Sequence, residues 1–225
     1  TRTLLGRKDS GEFKWSPLYL PVEIPVEGLL ENYDVAYIND VHSFDKNDDG
    51  EIDEMIIEYI KIKSGVLKAN YPYVIRPKND DSINMELVLT NVELRPSEEK
   101  TIQCSSVFET FTIGGTYHKM TGEELEGKLS IKTDGDWKNN DANNSLNPFR
   151  LYMTITREGS PVVVDSAKLS IRIAVRGEDD VTEIDNVLLN GSSEDVIFDL
   201  HGRRVLTPVK GGVYIINGKK VYFKK

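Results

Sequence analysis

A single cysteine and three histidines in 225 residues leave little for thiol or imidazole chemistry. Cys104, being alone, excludes an intrachain disulfide. A domain this long can hold together outside the cell without bridges, so cysteine usage leaves the compartment open. No run approaches the ~18 apolar residues that a membrane helix needs, so no bilayer span is expected. No signal peptide is read in the sequence, and a chain starting at Thr1 is expected to be a mature or trimmed product. His42, His118 and His201 are scattered, without HExxH or HxH spacing, and each reads as a surface or turn histidine. The motifs GxSxG, the P-loop and GxGxxG followed by a helix are all missing. Cys104 sits in TIQCSSVF at a strand end, with no elbow or helix N-terminus to depress its pKa, so it reads as buried and inert. Acidic residues are abundant, yet no pair is singled out as glycosidase carboxylates. The chain is therefore expected not to be an enzyme.

What is present is an ordinary mix, 39% hydrophobic and 29% charged, with a net charge of −9. The charge is uneven. From Gly202 onward every charged side chain is Lys or Arg, so the rest of the chain is more acidic than the total implies. Such a body repels phosphate and argues against nucleic acid as a partner. Lysines on the tail fit solvated strand faces.

Periodicity favours strands almost everywhere. YDVAYIND (33–40) and IRIAV (171–175) alternate, and IDEMIIEYIKIK (52–63) reads as a long strand. MELVLTNVEL (85–94), VFETFTIGGTY (107–117) and FRLYMTIT (149–156) add three more. PVEGLLEN (25–32) is the one short helix, with Pro25 placed in its first turn. Turn signals recur at 64–65, 114–115, 134–136, 157–161, 190–191 and 217–218. The asparagine-rich NNDANNS (139–145) reads as a long, mobile polar loop. This spacing predicts an all-β fold, an antiparallel β-sandwich-like body with a small C-terminal β-hairpin appendage. The expected division is a binding module over 1–178 and a β segment over 187–225, separated by the charged stretch RGEDDVTEIDN (176–186). In that segment, DVIFDLHGRRVL (195–206) and GVYIINGKKVYF (212–223) each read as a hairpin, the second turning at Asn217-Gly218.

DKNDDGEID (45–53) resembles the start of a calcium loop. Asp45, Asn47 and Asp49 fill positions 1, 3 and 5, Gly50 position 6, Glu51 position 7 and Asp53 position 9 of an EF-hand. Position 12 is Ile56, without a side-chain oxygen, and strands replace the flanking helices. Glu54, Glu58 or a distant carboxylate would have to complete a site of another kind. A structural calcium that rigidifies the hairpin is the metal reading, and a polar turn is the plain one. No other cofactor is implied.

Aromatic rings mark candidate glycan-binding faces. Trp15, Tyr19, Tyr71, Tyr73 and Tyr152 fit core packing better. Trp137, in the polar stretch TDGDWKNNDANN, is the ring expected to reach solvent.

The segments SPLYLPVEIP, YDVAYINDVHSFDKNDDGEIDEMIIEYIKIKSGVLKANYPYVIRPK and SLNPFRLYMTI resemble, over roughly residues 1–175, an all-β module of secreted and surface proteins of Gram-negative gut anaerobes. Many such proteins are of cell-adhesion type, and the leucine-rich repeats that often accompany the module are absent here. NYPY and NPFR are strand starts, because proline holds the residue before it extended. The tail VIFDLHGRRVLTPVKGGVYIINGKKVYFKK resembles a short C-terminal sorting segment read by a type IX-like secretion route. Together these resemblances imply an extracellular or outer-membrane surface location, an adhesion role toward an unknown protein or glycan, and secretion machinery as a further partner. The alternatives are a carbohydrate-binding module and a structural spacer of a surface assembly.

Overall fold

The period-two alternation of the sequence becomes strands along most of the chain. The computed structural model describes residues 2–47, 49–88, 101–106, 108–165, 168–177, 197–199, 213–216 and 219–222. Two compact units divide the chain, Thr1–Arg176 and Gly177–Lys225. In chain order the strands begin with β1 (Arg2–Thr3), β2 (Ser16–Leu18), β3 (Ile24–Pro25), β4 (Tyr33–Phe44), β5 (Glu54–Lys61), β6 (Val66–Leu67) and β7 (Tyr73–Pro77). They continue with β8 (Asn84–Met85), β9 (Ile102–Ser105), β10 (Glu109–Thr116), β11 (Met120–Thr121), β12 (Leu129–Ile131) and β13 (Trp137–Asn139). Then follow β14 (Ser145–Leu146), β15 (Arg150–Arg157), β16 (Ser160–Pro161) and β17 (Ser170–Gly177).

Two large sheets form the first unit, one ordered β17–β5–β4–β7–β2 and one ordered β13–β12–β15–β10–β9, with β16 also on β15. Their facing sides share one core. Ile38, Met55, Ile57 and Tyr59 come from the first sheet, and Phe111, Ile113, Leu151, Met153 and Ile155 from the second. The fold is all-β and sandwich-like. In β10 and β15 the inward phase is unbroken, since Phe111 lies opposite Ile155 and Ile113 opposite Met153. β4 keeps its phase only by slipping. A register shift between Ile38 and Asp40 adds a residue, so Ile38 and Val41 both face the core although they are three apart. The outer side of the first sheet packs a second core, where Leu18, Val35 and Ile75 meet Val22, Val26, Leu29 and Leu67.

The sequence reading needs four corrections. The helix predicted over 25–32 is one turn, α1 (Glu27–Leu30). Its N-cap Val26 offers no side-chain acceptor, and Pro25 pairs with Val66 in β3–β6 instead of opening the helix. Gly114 and Gly115 do not turn the chain but lie inside β10. A Cβ on Gly115 would sit 2.1 Å from Cγ of the Tyr19 ring, so glycine there admits the ring. Of the strand predicted over 85–94, residues 86–88 are not strand, and 89–94 lie outside the described residues. The asparagine-rich stretch is a loop between β13 and β14, but it is tied down at its start: Asn140 is buried, donates to the Lys128 carbonyl at 2.6 Å and bonds Ser130 Oγ at 3.1 Å.

In the second unit β18 (Ile197–Asp199), β19 (Val213–Ile216) and β20 (Lys219–Tyr222) form one three-stranded sheet, in that order. Ile216 lies opposite Lys219. The described partner of β18 is β19, whereas the partner expected within 203–206 lies outside the described residues. So do the turns expected at 190–191, 201–202 and 217–218.

Candidate binding site at one end of the sandwich

The inward row of β10 and β15 ends in a charged pair. Glu109 lies directly opposite Arg157, in phase with Phe111 and Ile155, so a carboxylate continues the core-facing row. Glu109 is 5% exposed. Arg157 donates to its Oε1 through Nε at 3.0 Å and Nη2 at 2.5 Å. Ser43, from the inward row of β4 in the other sheet, donates to Oε2 at 2.6 Å. The remaining guanidinium nitrogen, Nη1, donates to the carbonyl of Gly50 at 2.6 Å. One ion pair thus clasps both sheets and the 45–53 loop. Its burial is tolerated because both carboxylate oxygens are hydrogen-bonded.

Around this clasp lies a concavity of about 440 Å³, lined by Phe44, Asp45, Ile52, Ser106, Phe108 and Arg157 among others. Three connections meet here: the β4–β5 loop, the turn before β10 and the end of β15. Phe44 is 43% exposed and Phe108 65% exposed. Two aromatic rings left in water beside a satisfied ion pair are what a recognition surface offers, an apolar area with fixed polar groups.

The calcium-like loop forms one wall. Phe44 pairs with Glu54, so residues 45–53 span a β-hairpin and have strands on both sides. Its side chains serve the loop's own backbone. Asp45 Oδ2 accepts from Gly50 N at 2.7 Å, Asn47 Oδ1 from Asp49 N at 3.1 Å, and Asp49 Oδ1 from Glu51 N at 2.8 Å. Asp53 Oδ2 accepts from Lys46 N at 2.7 Å, and Glu51 turns outward to Lys168 Nζ at 3.2 Å. Gly50 at φ +84° supplies the left-handed turn that the spacing demands. Among the described residues, no three acidic, histidine or cysteine side chains gather as metal ligands. The residues that would complete a shell are engaged elsewhere: Glu54 with Lys46 at 2.9 Å and Arg172 at 2.5 Å, Glu58 with Arg176 at 2.8 Å. The hydrogen bond from Lys46, with that from Arg172, holds the Glu54 carboxyl below the ordinary range against the opposing effect of burial.

Trp137 does not reach solvent. It opens β13 opposite Ile131 and is 2% exposed. The turn ends one residue earlier, closed by Lys132 N to Asp136 O at 2.9 Å, and the next residue takes the inward phase. The indole N–H donates to Tyr59 Oη at 2.7 Å across the sheets, which satisfies its polar atom. Burial raises the pKa of the Tyr59 hydroxyl. Trp137 also lines the inner wall of a second concavity of about 550 Å³, with Trp15, Arg76 and Asp136. Trp15, Tyr19 and Tyr73 are buried in the core, and Tyr71 and Tyr152 are half-buried.

Cys104 is buried, its thiol 3.8 Å from the carbonyl of Asn39. His118 faces Glu124 at 2.5 Å on the surface, and His42 lies 3.7 Å from Asp40. His201 lies outside the described residues. Sequence reading missed Phe44, Phe108, Glu109 and Arg157. A signal existed, since Glu109 and Arg157 occupy the apolar phase of their strands, where a charge requires a reason. No protein-family model matches the chain, and no curated protein or solved structure matches it.

Proposed function

We propose that the chain is a non-enzymatic binding module of the cell surface or the extracellular space, acting in adhesion through the loop end of its sandwich. The observation that carries this reading is the pair of exposed rings, Phe44 and Phe108, set around the Glu109–Arg157 clasp. Function on such folds resides in loops positioned by a rigid scaffold, and here the clasp fixes the loop. The surface location rests on the resemblance of residues 1–175 and of the tail, which also suggests secretion machinery as a partner. Glycan stacking, if it occurs, falls to Phe44 and Phe108 and not to Trp137, whose ring is enclosed.

The test is binding of the full chain to a glycan array and to immobilised mucin and matrix proteins, beside Phe44→Ser and Phe108→Ser. Selective binding that both substitutions weaken at least tenfold, with melting unchanged, supports the proposal. Selective binding indifferent to both moves the site elsewhere. No binding to any surface favours a spacer.

A further inference from the structure

A sheet edge is a row of unpaired N–H and C=O groups, and folds guard it with short strands, proline or lysine. Three of the four ends of the two large sheets are guarded in this way. β2 has three residues and carries Pro17, β13 has three and carries Lys138, and β9 has four. The fourth end, β17, has eight residues and neither proline nor lysine. Its neighbour is β5, and among the described residues no strand pairs with the other side of 170–176. Its two arginines do not guard it, because its own sheet neutralises them: Arg172 meets Glu54 at 2.5 Å and Arg176 meets Glu58 at 2.8 Å.

Phase decides what this edge offers. Ser170 N donates to Asp53 O at 2.9 Å, on the β5 side. By alternation the N–H and C=O groups of Ile171, Ile173 and Val175 point the other way. The side chains of the same three residues form the inner row. Ile171 and Ile173 pack on the first core, Val175 is 39% exposed, and all three line the second concavity, so the row is open to solvent there.

We propose that this edge joins a second copy of the chain, with the two β17 strands antiparallel about a two-fold axis at Ile173. In this register Ile173 meets its own counterpart and Ile171 meets Val175 of the other copy, all on the inner face. Each such pair exchanges two backbone hydrogen bonds, about six in all. On the outer face Arg172 meets Ala174 and Arg176 meets Ser170, so no like charges lie opposite one another. Centring the axis on Arg172 sets that arginine against itself, and centring it on Ala174 sets Arg172 against Arg176. The strand therefore specifies one register for itself. Pairing consumes the edge of both copies, and Pro17 guards the far edge of the same sheet, so the assembly closes as a dimer and does not grow. Contact through one strand pair is small, which places the dimer among the weak interfaces.

The test is sedimentation velocity of the full chain from roughly 1 to 200 μM, a range across which a weak dimer dissociates. Wild type is compared with Val175→Lys, Ala174→Lys and Ala174→Glu, and thermal melts establish that each is folded. The expected result is a monomer–dimer equilibrium without larger species, weakened at least tenfold by Val175→Lys. Ala174→Lys places a like charge opposite Arg172 of the other copy and should weaken the dimer. Ala174→Glu places the opposite charge there and should leave it at least as tight as wild type. That difference in sign separates this register from a general intolerance of change at the edge. A chain that stays monomeric throughout would overturn the proposal, as would growth beyond two copies. So would a dimer that none of the variants moves, or one that Ala174→Lys and Ala174→Glu weaken alike. Should Val175→Lys fail to fold, the two Ala174 variants carry the comparison.

Discussion

Replacing Arg157 by methionine separates a clasp from an ornament. The Glu109 side chain is 4% exposed and that of Arg157 35%. Methionine keeps the apolar stem and removes three hydrogen bonds, two to Glu109 and one to Gly50. Ser43 then remains the donor to a buried carboxylate. Removing one partner of a buried pair costs about 3–5 kcal/mol, and Arg157 is open enough to water to place this one near the lower end, about 3 kcal/mol. The lost bond to Gly50 adds little, because that carbonyl belongs to an exposed loop and water replaces the donor. For a unit of this size about 3 kcal/mol lowers the melting midpoint by roughly 6–12 °C. Urea unfolding of wild type, Arg157→Met, Glu109→Gln and the double variant forms the assay. The double variant should recover most of the loss, since no charge is left buried without its partner. A loss below about 1 kcal/mol for Arg157→Met, with no recovery in the double variant, would refute the claim that this pair is desolvated.

Further outcomes follow from the same packing. Gly115→Ala should cost about 1–3 kcal/mol, toward the upper end, because its methyl enters the fully buried ring of Tyr19; urea unfolding checks it, and Tyr19→Leu should return part of the loss. Trp137→Phe should cost about 1–3 kcal/mol by stranding the Tyr59 hydroxyl, with Tyr59→Phe in that background restoring part of it. At Asp34 burial raises the carboxyl pKa, but hydrogen bonds and charge from Lys61 and Arg76 outweigh it and hold the group below the ordinary range. Its contribution is therefore present above the unfolded pKa of about 3.9 and lost as pH falls further, so Asp34→Asn should be less stable at neutral pH and match wild type in strong acid, measured by melts across pH. Millimolar calcium added to metal-stripped protein should leave the midpoint unmoved, since the 45–53 side chains already close the turn; a rise that Asp45→Ala with Asp49→Ala abolishes would restore the ion.

The fold was legible where local pattern and tertiary demand agree. The alternation in FRLYMTIT and VFETFTIG appears as β15 and β10, and the DGD and REGSP turns close their hairpins with Gly135 and Gly159 at positive φ. It was not legible where a residue answers to a distant partner. Gly114-Gly115 carries the local signature of a turn, yet its reason is Tyr19, nearly a hundred residues away in the chain. Trp137 follows a run of turn formers and precedes asparagines, so its neighbours in sequence argue for solvent. Its neighbours in space, Tyr59 among them, enclose it.

The candidate site was illegible for the same reason, with one difference. Asp45, Asn47 and Asp49 stand together in sequence and so attract attention, but their spacing is also what an Asx-bonded turn requires, and one composition serves both ends. Glu109 and Arg157 attract none, being 48 residues apart and each an ordinary charge in a charged chain. What marks them is phase. Each continues an apolar row by one step, and a charge in that row must meet its opposite at the same level of the neighbouring strand or stay unpaired in the core. Pairing β10 with β15 therefore fixes which carboxylate meets which guanidinium. That pairing also sets where the 45–53 loop is held and which rings, Phe44 and Phe108, are left facing water beside it.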